Sequence, residues 1–213
     1  MNSISDMREN YDRSTLDESH VDSDGMKQFH KWFEEARIED VVEPNAMIMS
    51  TINKDGHPTS RTLLLKGLEE DGFLFYTNYN SDKAKEIANN PNISLCFLWK
   101  KVQRQVRIMG VASKTTKAQS EAYFQSRPKG SQIGAWVSPQ SQVIENKEYL
   151  AKRKEEMMEK FKDVDTVPLP DFWGGFKLIP NQIEFWQGRP DRLHDRLRYT
   201  QVNGSWKIER IAP

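Results

Sequence analysis

The sequence predicts an α+β fold, mainly β, in which antiparallel strands form a closed or split β-barrel with peripheral helices. Three observations predict it. Short runs rich in β-branched and aromatic residues recur along the chain, Asp-Gly and Asn-Gly turn signals separate several of them, and only a few helical segments come between. Many strands with short turns favour a barrel over a doubly wound sheet.

Composition narrows the class of protein. The chain has 213 residues, which favours one domain, and 31 basic against 31 acidic residues give a formal net charge of zero. A nucleic-acid-binding protein usually shows a basic excess, so we expect no nucleic-acid partner. Any anionic ligand must be held by local cationic clusters rather than by a general positive field. The single cysteine, Cys96, excludes an intrachain disulfide.

The N-terminal segment differs from the rest. Residues 1–24 are rich in Ser, Asp, Glu and Asn, and they lack the basic-then-apolar order of a secretion signal. No stretch approaches the roughly 18 consecutive apolar residues of a membrane span. We therefore expect a flexible arm over residues 1–24, a single domain over residues 25–213, no membrane partner and a cytoplasmic location.

The first half of that domain begins with a helix and continues as strands. Apolar residues at helical spacing predict an amphipathic helix over Met26–Ile38. The period then shortens, and three runs predict an antiparallel meander: Ala46–Asn53, Thr59–Gly67 and Gly72–Asn78. A helix over Ser81–Asn89, capped by Ser81, and two further strands follow: Ile93–Trp99 and Gln103–Ser113.

In the second half of the chain, three predicted helices come first and four predicted strands follow. Thr115 or Thr116 caps a helix that runs to about Ser126, and Pro128 ends it because the residue before proline avoids the α region. Ser131 then caps a short helix through Trp136, and a charged helix follows over Glu145–Lys162. Four strands complete the chain, with Asn203-Gly204 as the hairpin turn of the last two: Phe172–Ile179, Gln182–Gln187, Arg196–Gln201 and Ser205–Ile211.

Several familiar site signatures are absent from the sequence. It has no Walker loop, no Gly-x-Gly-x-x-Gly dinucleotide unit and no Gly-x-Ser-x-Gly nucleophile motif. The four histidines show neither metal-ligand spacing nor cysteine partners, so we expect no metal. If the protein is an enzyme, an organic cofactor must therefore supply its difficult chemical step.

One cationic group stands out near the C-terminus. On a strand, Arg192, His194 and Arg196 project to the same face, where they repel each other unless an anionic or electron-rich group lies against them. The alternative interpretation is a polar, solvated sheet face.

Two further groups are suited to phosphate. Tyr123 and Arg127 share one helical face, and Ser131 opens the next helix, where free backbone N–H groups favour an anion. The alternative is a capping serine beside an exposed arginine.

Arg61 and Lys66 lie five apart on one strand and so face opposite sides, and Lys83 follows on the next helix. Basic residues at the ends of a buried strand are the alternative here.

These groups belong to a set of motifs that resembles the pyridoxine 5′-phosphate oxidase family in order and spacing, from about Arg8 to Pro213. The motifs are Arg61–Lys66, Phe75-Tyr76-Thr77-Asn78, Ser126-Arg127-Pro128, the run from Ser131 to Ser138, Phe172-Trp173-Gly174-Gly175-Phe176, the run from Ile183 to Gly188, Arg192-Leu193-His194-Asp195-Arg196 and Arg210-Ile211-Ala212-Pro213. Each motif alone is weakly specific, whereas the whole set is highly specific.

The resemblance implies a split β-barrel that binds FMN at the interface of a homodimer and oxidises pyridoxine phosphate and pyridoxamine phosphate with dioxygen. Residues that match FMN-binding positions, some of them contributed by the partner subunit, are Arg61, Lys66, Tyr76, Thr77, Lys83, Gln105, Gln140, Ser141, Trp186 and Arg196. Those that match substrate-binding positions are Lys66, Tyr123, Arg127, Ser131, Arg192 and His194, together with Arg8 and Tyr11 of the arm. Arg192 and His194 match the catalytic pair that holds the substrate ring over the flavin.

One position departs from the family pattern. The family commonly has a basic pair where this chain has Asp82-Lys83. An aspartate beside the cofactor phosphate repels it weakly if solvated, although Asp82 also suits the positive end of its helix. We therefore expect FMN to bind in spite of this substitution.

Two other functions stay open at this point. A non-catalytic protein of the same barrel class stores or delivers pyridoxal phosphate, and it binds this ligand without turnover. A flavin reductase of the same class consumes a nicotinamide without any vitamin substrate, and the sequence shows no nicotinamide motif. The pair Arg192 and His194 favours the oxidase, since a storage protein has less need to arrange a substrate above a flavin.

Overall fold

A computed structural model describes residues 3–7, 9–39 and 41–213. Within these residues the helices are α1 (Gly25–Ile38), α2 (Asp82–Asn89), α3 (Lys117–Ser126), α4 (Lys129–Val137) and α5 (Lys147–Lys160). The strands are β1 (Ala46–Ile52), β2 (Pro58–Leu64), β3 (Gly67–Glu69), β4 (Gly72–Asn78), β5 (Asn92–Trp99), β6 (Arg104–Lys114), β7 (Trp173–Gln187), β8 (Asp195–Val202) and β9 (Ser205–Arg210). No helix of the described residues has the length and apolar character needed to cross a membrane.

The strands form one antiparallel sheet that curls on itself. Seven strands follow the order β2-β1-β5-β6-β7-β4-β3, and β8 and β9 extend from β7. Laid flat, six strand spacings would separate β2 from β3 by about 29 Å. Only Leu65 and Lys66 link these two strands, and a link of this length reaches at most about 11 Å. The sheet must therefore curl, and no strand pairing within the described residues closes it between β2 and β3. The α+β, antiparallel split barrel is confirmed.

The link between β2 and β3 marks the opening of the barrel. The Leu65 N–H donates to Asn45 O (2.8 Å) on one side of the opening, and the Lys66 N–H donates to Leu74 O (2.9 Å) on the other. The meander expected over the first three runs is wrong at this point, because β4 pairs with β3 and β7 rather than with β2. The chain passes from one edge of the opening to the other at Lys66, where the sequence has leucines on both sides and no turn signal.

Two apolar clusters hold the fold together. Inside the barrel, Phe29 of α1 is fully buried against Phe73 and Phe97, with ring centroids 4.9 and 5.1 Å away. Asp24 caps α1 by accepting from the N–H groups of two first-turn residues. The cap fixes the start of the helix, so that its apolar face packs into the barrel from the first turn onward. A second cluster lies under α3, α4 and α5, where Trp173 packs edge-on against Phe124.

A bulge explains why two predicted strands are one. The strands expected on either side of Pro180 form the single strand β7, and its pairing with β6 shifts register between Met109 and Gly110. A Cβ atom at Gly110 would lie only 2.1 Å from Ile179 O, so the bulge requires glycine. The Asn203-Gly204 hairpin is confirmed, with φ of 51° and 82° at its two central residues.

The helix starts correct two predictions. Ser81 precedes α2 as expected, but its hydroxyl donates to Asn78 O instead of capping the helix. Helix α4 begins at Lys129 rather than at Ser131, and the Ser131 N–H already donates to Pro128 O (2.8 Å). Proline favours this earlier start because its φ suits the beginning of a helix. Ser131 therefore offers a hydroxyl to a ligand and no free N–H.

Helix α3 supplies a test of the local structure. Thr116 and Gln119 form a reciprocal capping box, each side chain accepting from the other's backbone N–H at 3.1 Å. Thr116→Ala removes one half of it and is expected to lower the free energy of unfolding by about 1 kcal/mol. Denaturant titration measures this, with the exposed Ser113→Ala as control. Equal stability of the two variants would contradict the capping role.

Candidate active site

The predicted site residues fall into two clusters at opposite ends of β7. One cluster surrounds Trp173, the first residue of this strand, and the other surrounds Trp186, its penultimate residue. These two residues are separated by about 40 Å of strand. The residues near Trp173 are called the phosphate cluster below, and those near Trp186 the ring cluster.

The phosphate cluster lines a cavity of about 420 Å³. Its lining includes the residues expected to hold the substrate phosphate and several of those expected to hold the cofactor: Lys66, Tyr76, Thr77, Tyr123, Arg127, Ser131 and Gln140. They come from the barrel opening, from β4, and from α3, α4 and the loop after α4. Ser141 follows Gln140 directly and is exposed, with a left-handed φ of 68°.

Arg127 is the residue of this cavity with the strongest need for an anion. Its Nη1 atom is buried and has no hydrogen-bond partner among the described residues. Its guanidinium lies 4.6 Å from the ring centre of Trp173, which orients the planar group without satisfying its N–H donors. Burial lowers the pKa of Arg127, and the nearby Tyr123 opposes this shift only in part. A phosphate, which accepts from arginine in a forked geometry, meets this need.

Stacked aromatic rings form one wall beside Arg127. The Tyr76 and Tyr123 rings lie 3.8 Å apart and nearly parallel, and Trp173 continues the stack 5.7 Å from Tyr76. Burial raises the pKa of both tyrosines, so their hydroxyls stay protonated and can donate to an anion. Tyr123 lies on α3, and Arg127 follows the last residue of this helix in extended backbone. The two side chains therefore line the same cavity, as expected, but they do not share a helical face.

Lys83 forms a second cationic point near the same cavity. Its side chain is buried, and its Nζ donates to Thr77 Oγ1 and Gln140 Oε1, both at 3.3 Å. No carboxylate of the described residues lies within ion-pair distance of it. Burial and then the charge of Arg61 lower the pKa of Lys83. A buried ammonium with only neutral partners is stabilised by a bound anion.

Arg61 has a partner that the sequence analysis missed. Its Nη2 contacts Glu86 Oε2 at 3.0 Å, and its guanidinium also donates to Thr51 and Thr59. The signal was present, since Glu86 lies one helical turn after Lys83 on α2. The expectation that Arg61 and Lys66 share one strand is wrong, because Lys66 lies beyond the end of β2. Lys66 lines the cavity of the phosphate cluster, and Arg61 does not.

The ring cluster contains three predicted cofactor residues side by side. Gln105 on β6 pairs with Trp186 on β7, and Trp186 pairs with Arg196 on β8. They share the outer face of the sheet, where Arg196 is held by two contacts with Glu184 Oε1 at 2.8 and 3.0 Å. The sequence spacing of these three residues gives no hint of this register.

Arg192 and His194 lie in a loop and not on the strand that the common-face argument required. A short 3-10 turn, Pro190–Arg192, precedes β8, and both Asp191 and Arg192 have left-handed φ values of 56° and 61°. Non-glycine residues in this conformation are strained, and such strain concentrates at functional sites. The common-face argument therefore fails, because only Arg196 of the three residues lies on a strand.

His194 is nevertheless positioned in the ring cluster. Its ring centre lies 4.6 Å from that of Trp186, and its Nδ1 accepts the Arg189 N–H at 3.0 Å. Because Nδ1 is an acceptor, the proton of the neutral ring lies on Nε2. Burial and then the charge of Arg192 lower the pKa of His194, which favours this neutral form.

The arm contributes to the same cluster. Arg192, His194 and Tyr11 line a cavity of about 500 Å³. The Tyr11 ring meets both Trp186 and His194 edge-on, with centroids 5.8 Å apart in each case. Arg8, the other arm residue expected at the substrate, lies outside the described residues.

Comparison with known proteins identifies the family. A family model described as pyridoxamine 5′-phosphate oxidase matches residues 33–160, and one described as the pyridoxine 5′-phosphate oxidase C-terminal dimerisation region matches residues 173–213. The chain is 49% identical to a pyridoxine/pyridoxamine 5′-phosphate oxidase of Hydrogenovibrio crunogenus, covering 99% of this chain and 98% of that protein. It is 45% identical to the enzyme of that name from Salinibacter ruber, covering 100% of both.

Solved structures agree with these matches. PhzG from Burkholderia lata, in complex with tetrahydrophenazine-1-carboxylic acid, superposes with a TM-score of 0.86 at 26% identity over 92% of this chain and 95% of its own. An FMN-binding protein of Nostoc punctiforme shares the fold, with a TM-score of 0.68 at 19% identity over 87% and 97%. Because the first family model spans more than half of the chain and the relatives match its whole length, the chain belongs to the pyridoxamine 5′-phosphate oxidase family.

Proposed function

We propose that the protein is a pyridoxal 5′-phosphate synthase, which oxidises pyridoxine phosphate and pyridoxamine phosphate with dioxygen and FMN. The products are pyridoxal phosphate and hydrogen peroxide, with ammonia released from the amine. The observation that carries this proposal is the unpartnered Nη1 of Arg127 in a cavity that Lys66, Tyr123 and Ser131 also line. These groups together suit the phosphate of a small substrate.

The chain's own residues fit FMN. The buried Lys83, which lacks a carboxylate partner, would hold the cofactor phosphate, with Thr77 and Gln140 beside it. Arg61 would act chiefly by its charge, since its donors are largely taken by Glu86 and two threonines. The chemistry that FMN supplies when bound is acceptance of a hydride from the substrate and return of the electrons to dioxygen.

Substrate binding explains how the protein would lower the activation free energy of the oxidation. Arg127 and Lys66 anchor the phosphate end of the substrate, so the ring at its other end has a fixed position. Arg192 and His194 would then hold that ring, with the neutral His194 donating from Nε2. Positioning of this kind contributes several kcal/mol, up to about 7–11 in ideal cases.

Two copies of the chain would be needed to complete one site. The phosphate and ring clusters lie at opposite ends of a strand roughly 40 Å long, which is far more than a small substrate spans. The outer face that carries Gln105 also exposes apolar side chains on β1, β5 and β6: Ile48, Leu98, Met109 and Val111. Pairing this face with a second copy would cover these side chains and bring the ring cluster of one subunit to the phosphate cluster of the other. We therefore propose a homodimer with FMN at its interface and one barrel domain, residues 25–213, per subunit.

A spectrum and a peroxide assay test the proposed function. Purified protein with FMN should be yellow and should release peroxide with pyridoxine phosphate and pyridoxamine phosphate. Pyridoxine without its phosphate is the matched control, and it should react poorly because Arg127 has nothing to bind. Ligand binding without peroxide would favour the storage protein, and NADPH consumption without a vitamer would favour the reductase.

The departure at Asp82 gives a prediction for cofactor affinity. Asp82 is exposed at the first position of α2, directly before Lys83. Asp82→Arg replaces a weak repulsion of the cofactor phosphate with an attraction and is expected to lower the Kd for FMN about twofold to fivefold. Quenching of flavin fluorescence measures this Kd, with Lys85→Arg on the next exposed position as control. An unchanged Kd for Asp82→Arg would remove the repulsion argument.

A further inference from the structure

The Gln103 side chain is attached to the N-terminal arm on both sides of Tyr11. Its Oε1 accepts the N–H groups of Asp12 (3.0 Å) and Arg13 (3.1 Å), and its Nε2 donates to Asn10 O (3.2 Å). One amide group therefore makes three hydrogen bonds to the backbone that flanks this tyrosine. None of the residue roles considered above includes Gln103.

The backbone of Gln103 is itself fixed to the end of β7. Its carbonyl accepts the Gly188 N–H (2.8 Å) and the Gln187 Nε2 group (3.2 Å). Its left-handed φ of 55° turns the chain at this point, between the 3-10 turn before it and β6 after it. Gln103 thus joins the arm to the strand end that carries Trp186.

Gly188, just after the end of β7, has no side chain, and Tyr11 packs against it. A Cβ atom at Gly188 would lie 2.8 Å from Tyr11 Cβ, so any larger residue there would displace the arm. The Tyr11 ring contacts Trp186 and His194 from this position. The position of the Tyr11 ring therefore depends on the backbone of the arm, which Gln103 holds.

The arm forms one wall of the cavity that contains the proposed catalytic pair. Asn10 and Tyr11 line it on the arm side, and Arg192 and His194 line it on the loop side. Release of the arm would open this cavity to solvent. The geometry of the wall is thus tied to the three hydrogen bonds of Gln103.

A separate anchor holds the arm further along the chain. Arg210 contacts both carboxylate oxygens of Glu18, at 2.9 and 2.6 Å, and donates to Leu16 O at 2.8 Å. Leu16 is buried in the barrel core. The Arg13 side chain contacts Lys101 O and Glu39, and Arg189 donates to Ser14 O. Loss of the Gln103 contacts would therefore loosen the backbone of residues 10–13 while leaving residues 14–18 attached.

We propose that Gln103 is a positioning residue, which holds the arm so that Tyr11 closes the substrate cavity over Arg192 and His194. This inference rests on the proposed function for the identity of the substrate. Gln103 acts through Tyr11 and needs no contact with the substrate. Its effect should appear in substrate affinity and in the attachment of the arm. The affinity for FMN should be unaffected, because the cofactor phosphate is proposed to bind at Lys83 in the phosphate cluster.

Two substitutions separate this role from a structural one. Gln103→Met keeps the length of the side chain and removes all three hydrogen bonds, whereas Gln103→Glu keeps an acceptor for the two N–H groups. We expect Gln103→Met to raise the KM for pyridoxine phosphate about tenfold with kcat within about twofold, and Gln103→Glu to raise it at most about threefold. The control is Gln201→Met, an exposed glutamine on β8.

Tryptic cleavage after Arg13 gives a readout that does not depend on activity. Cleavage should be about tenfold faster in Gln103→Met than in the wild type or in Gln201→Met, with the Kd for FMN unchanged. Wild-type cleavage and KM in Gln103→Met would overturn the inference, as would an equal loss of FMN affinity. A wild-type protein that oxidises none of the vitamers would defeat the proposed function instead, and the cleavage rates would still decide whether Gln103 holds the arm.

Discussion

Arg127→Ala is expected to lower kcat/KM for pyridoxine phosphate about 100- to 1,000-fold, because it removes a forked cation from a partly desolvated phosphate site. The effect should fall mainly on KM, since the phosphate is bound equally in the ground state and the transition state. Reaction with unphosphorylated pyridoxine, already poor, should hardly change. The structural basis is the Nη1 atom of Arg127, which is buried without a partner among the described residues.

Steady-state peroxide assays on both substrates measure this effect. Lys129→Ala is the matched control, since Lys129 is an exposed cation two residues further along the chain whose Nζ bonds to Val164 O. It should leave kcat/KM within about twofold, in keeping with the small effect of exposed charges. An Arg127→Ala protein that keeps its preference for the phosphorylated substrate would contradict the assignment of the phosphate cluster.

Arg192→Ala is expected to lower kcat about 100-fold or more, with little change in the Kd for FMN. Arg192 lies on the wall of the ring cavity beside His194, whereas the cofactor phosphate is proposed to bind at Lys83 in the phosphate cluster. Its loss should leave the substrate phosphate bound and the ring poorly placed. Stopped-flow reduction of the flavin measures the chemical step directly.

Two further variants separate the loss of the Arg192 side chain from a change in the loop or in the surface charge. Arg192 has a left-handed backbone, which glycine adopts without strain, so Arg192→Gly should lose as much kcat as Arg192→Ala while keeping the loop conformation. Arg37→Ala, which removes an exposed arginine of α1, should have no effect on kcat. Equal losses of FMN affinity and kcat in the Arg192 variants would indicate a structural role for this residue.

Periodicity predicted most individual elements but not how the strands pair. The run that ends β2 is apolar on both sides of Lys66, so nothing in it indicates that the chain crosses the barrel opening there. Pairing of β4 with β7 depends on contacts about 100 residues apart, which a local pattern does not encode. The sequence therefore supported a barrel, and its strand order had to come from the structure.

The site shows the same division between local and distant information. Tyr123 and Arg127 line one cavity as expected because they are only four residues apart at the end of α3, although Arg127 itself lies beyond the helix. The common-face argument for Arg192 and His194 required a strand, whereas Pro190 lies just before them and favours a turn. The partnership of Gln105, Trp186 and Arg196 depends on register across three strands, which no spacing within the sequence reveals.

The central claim is that each active site combines the phosphate cluster of one subunit with the ring cluster of the other. A heterodimer that carries Arg127→Ala in one subunit and Arg192→Ala in the other tests it directly. With different affinity tags on the two chains, sequential purification isolates this heterodimer from both homodimers, which have little activity at a substrate concentration near the wild-type KM.

The peroxide yield of the purified heterodimer decides the matter. If the clusters come from different subunits, one of its two sites has both arginines intact, and it should show about half of the wild-type activity. If both clusters served the same subunit's site, each site would lack one arginine. A heterodimer as inactive as its two parent homodimers would contradict the shared site.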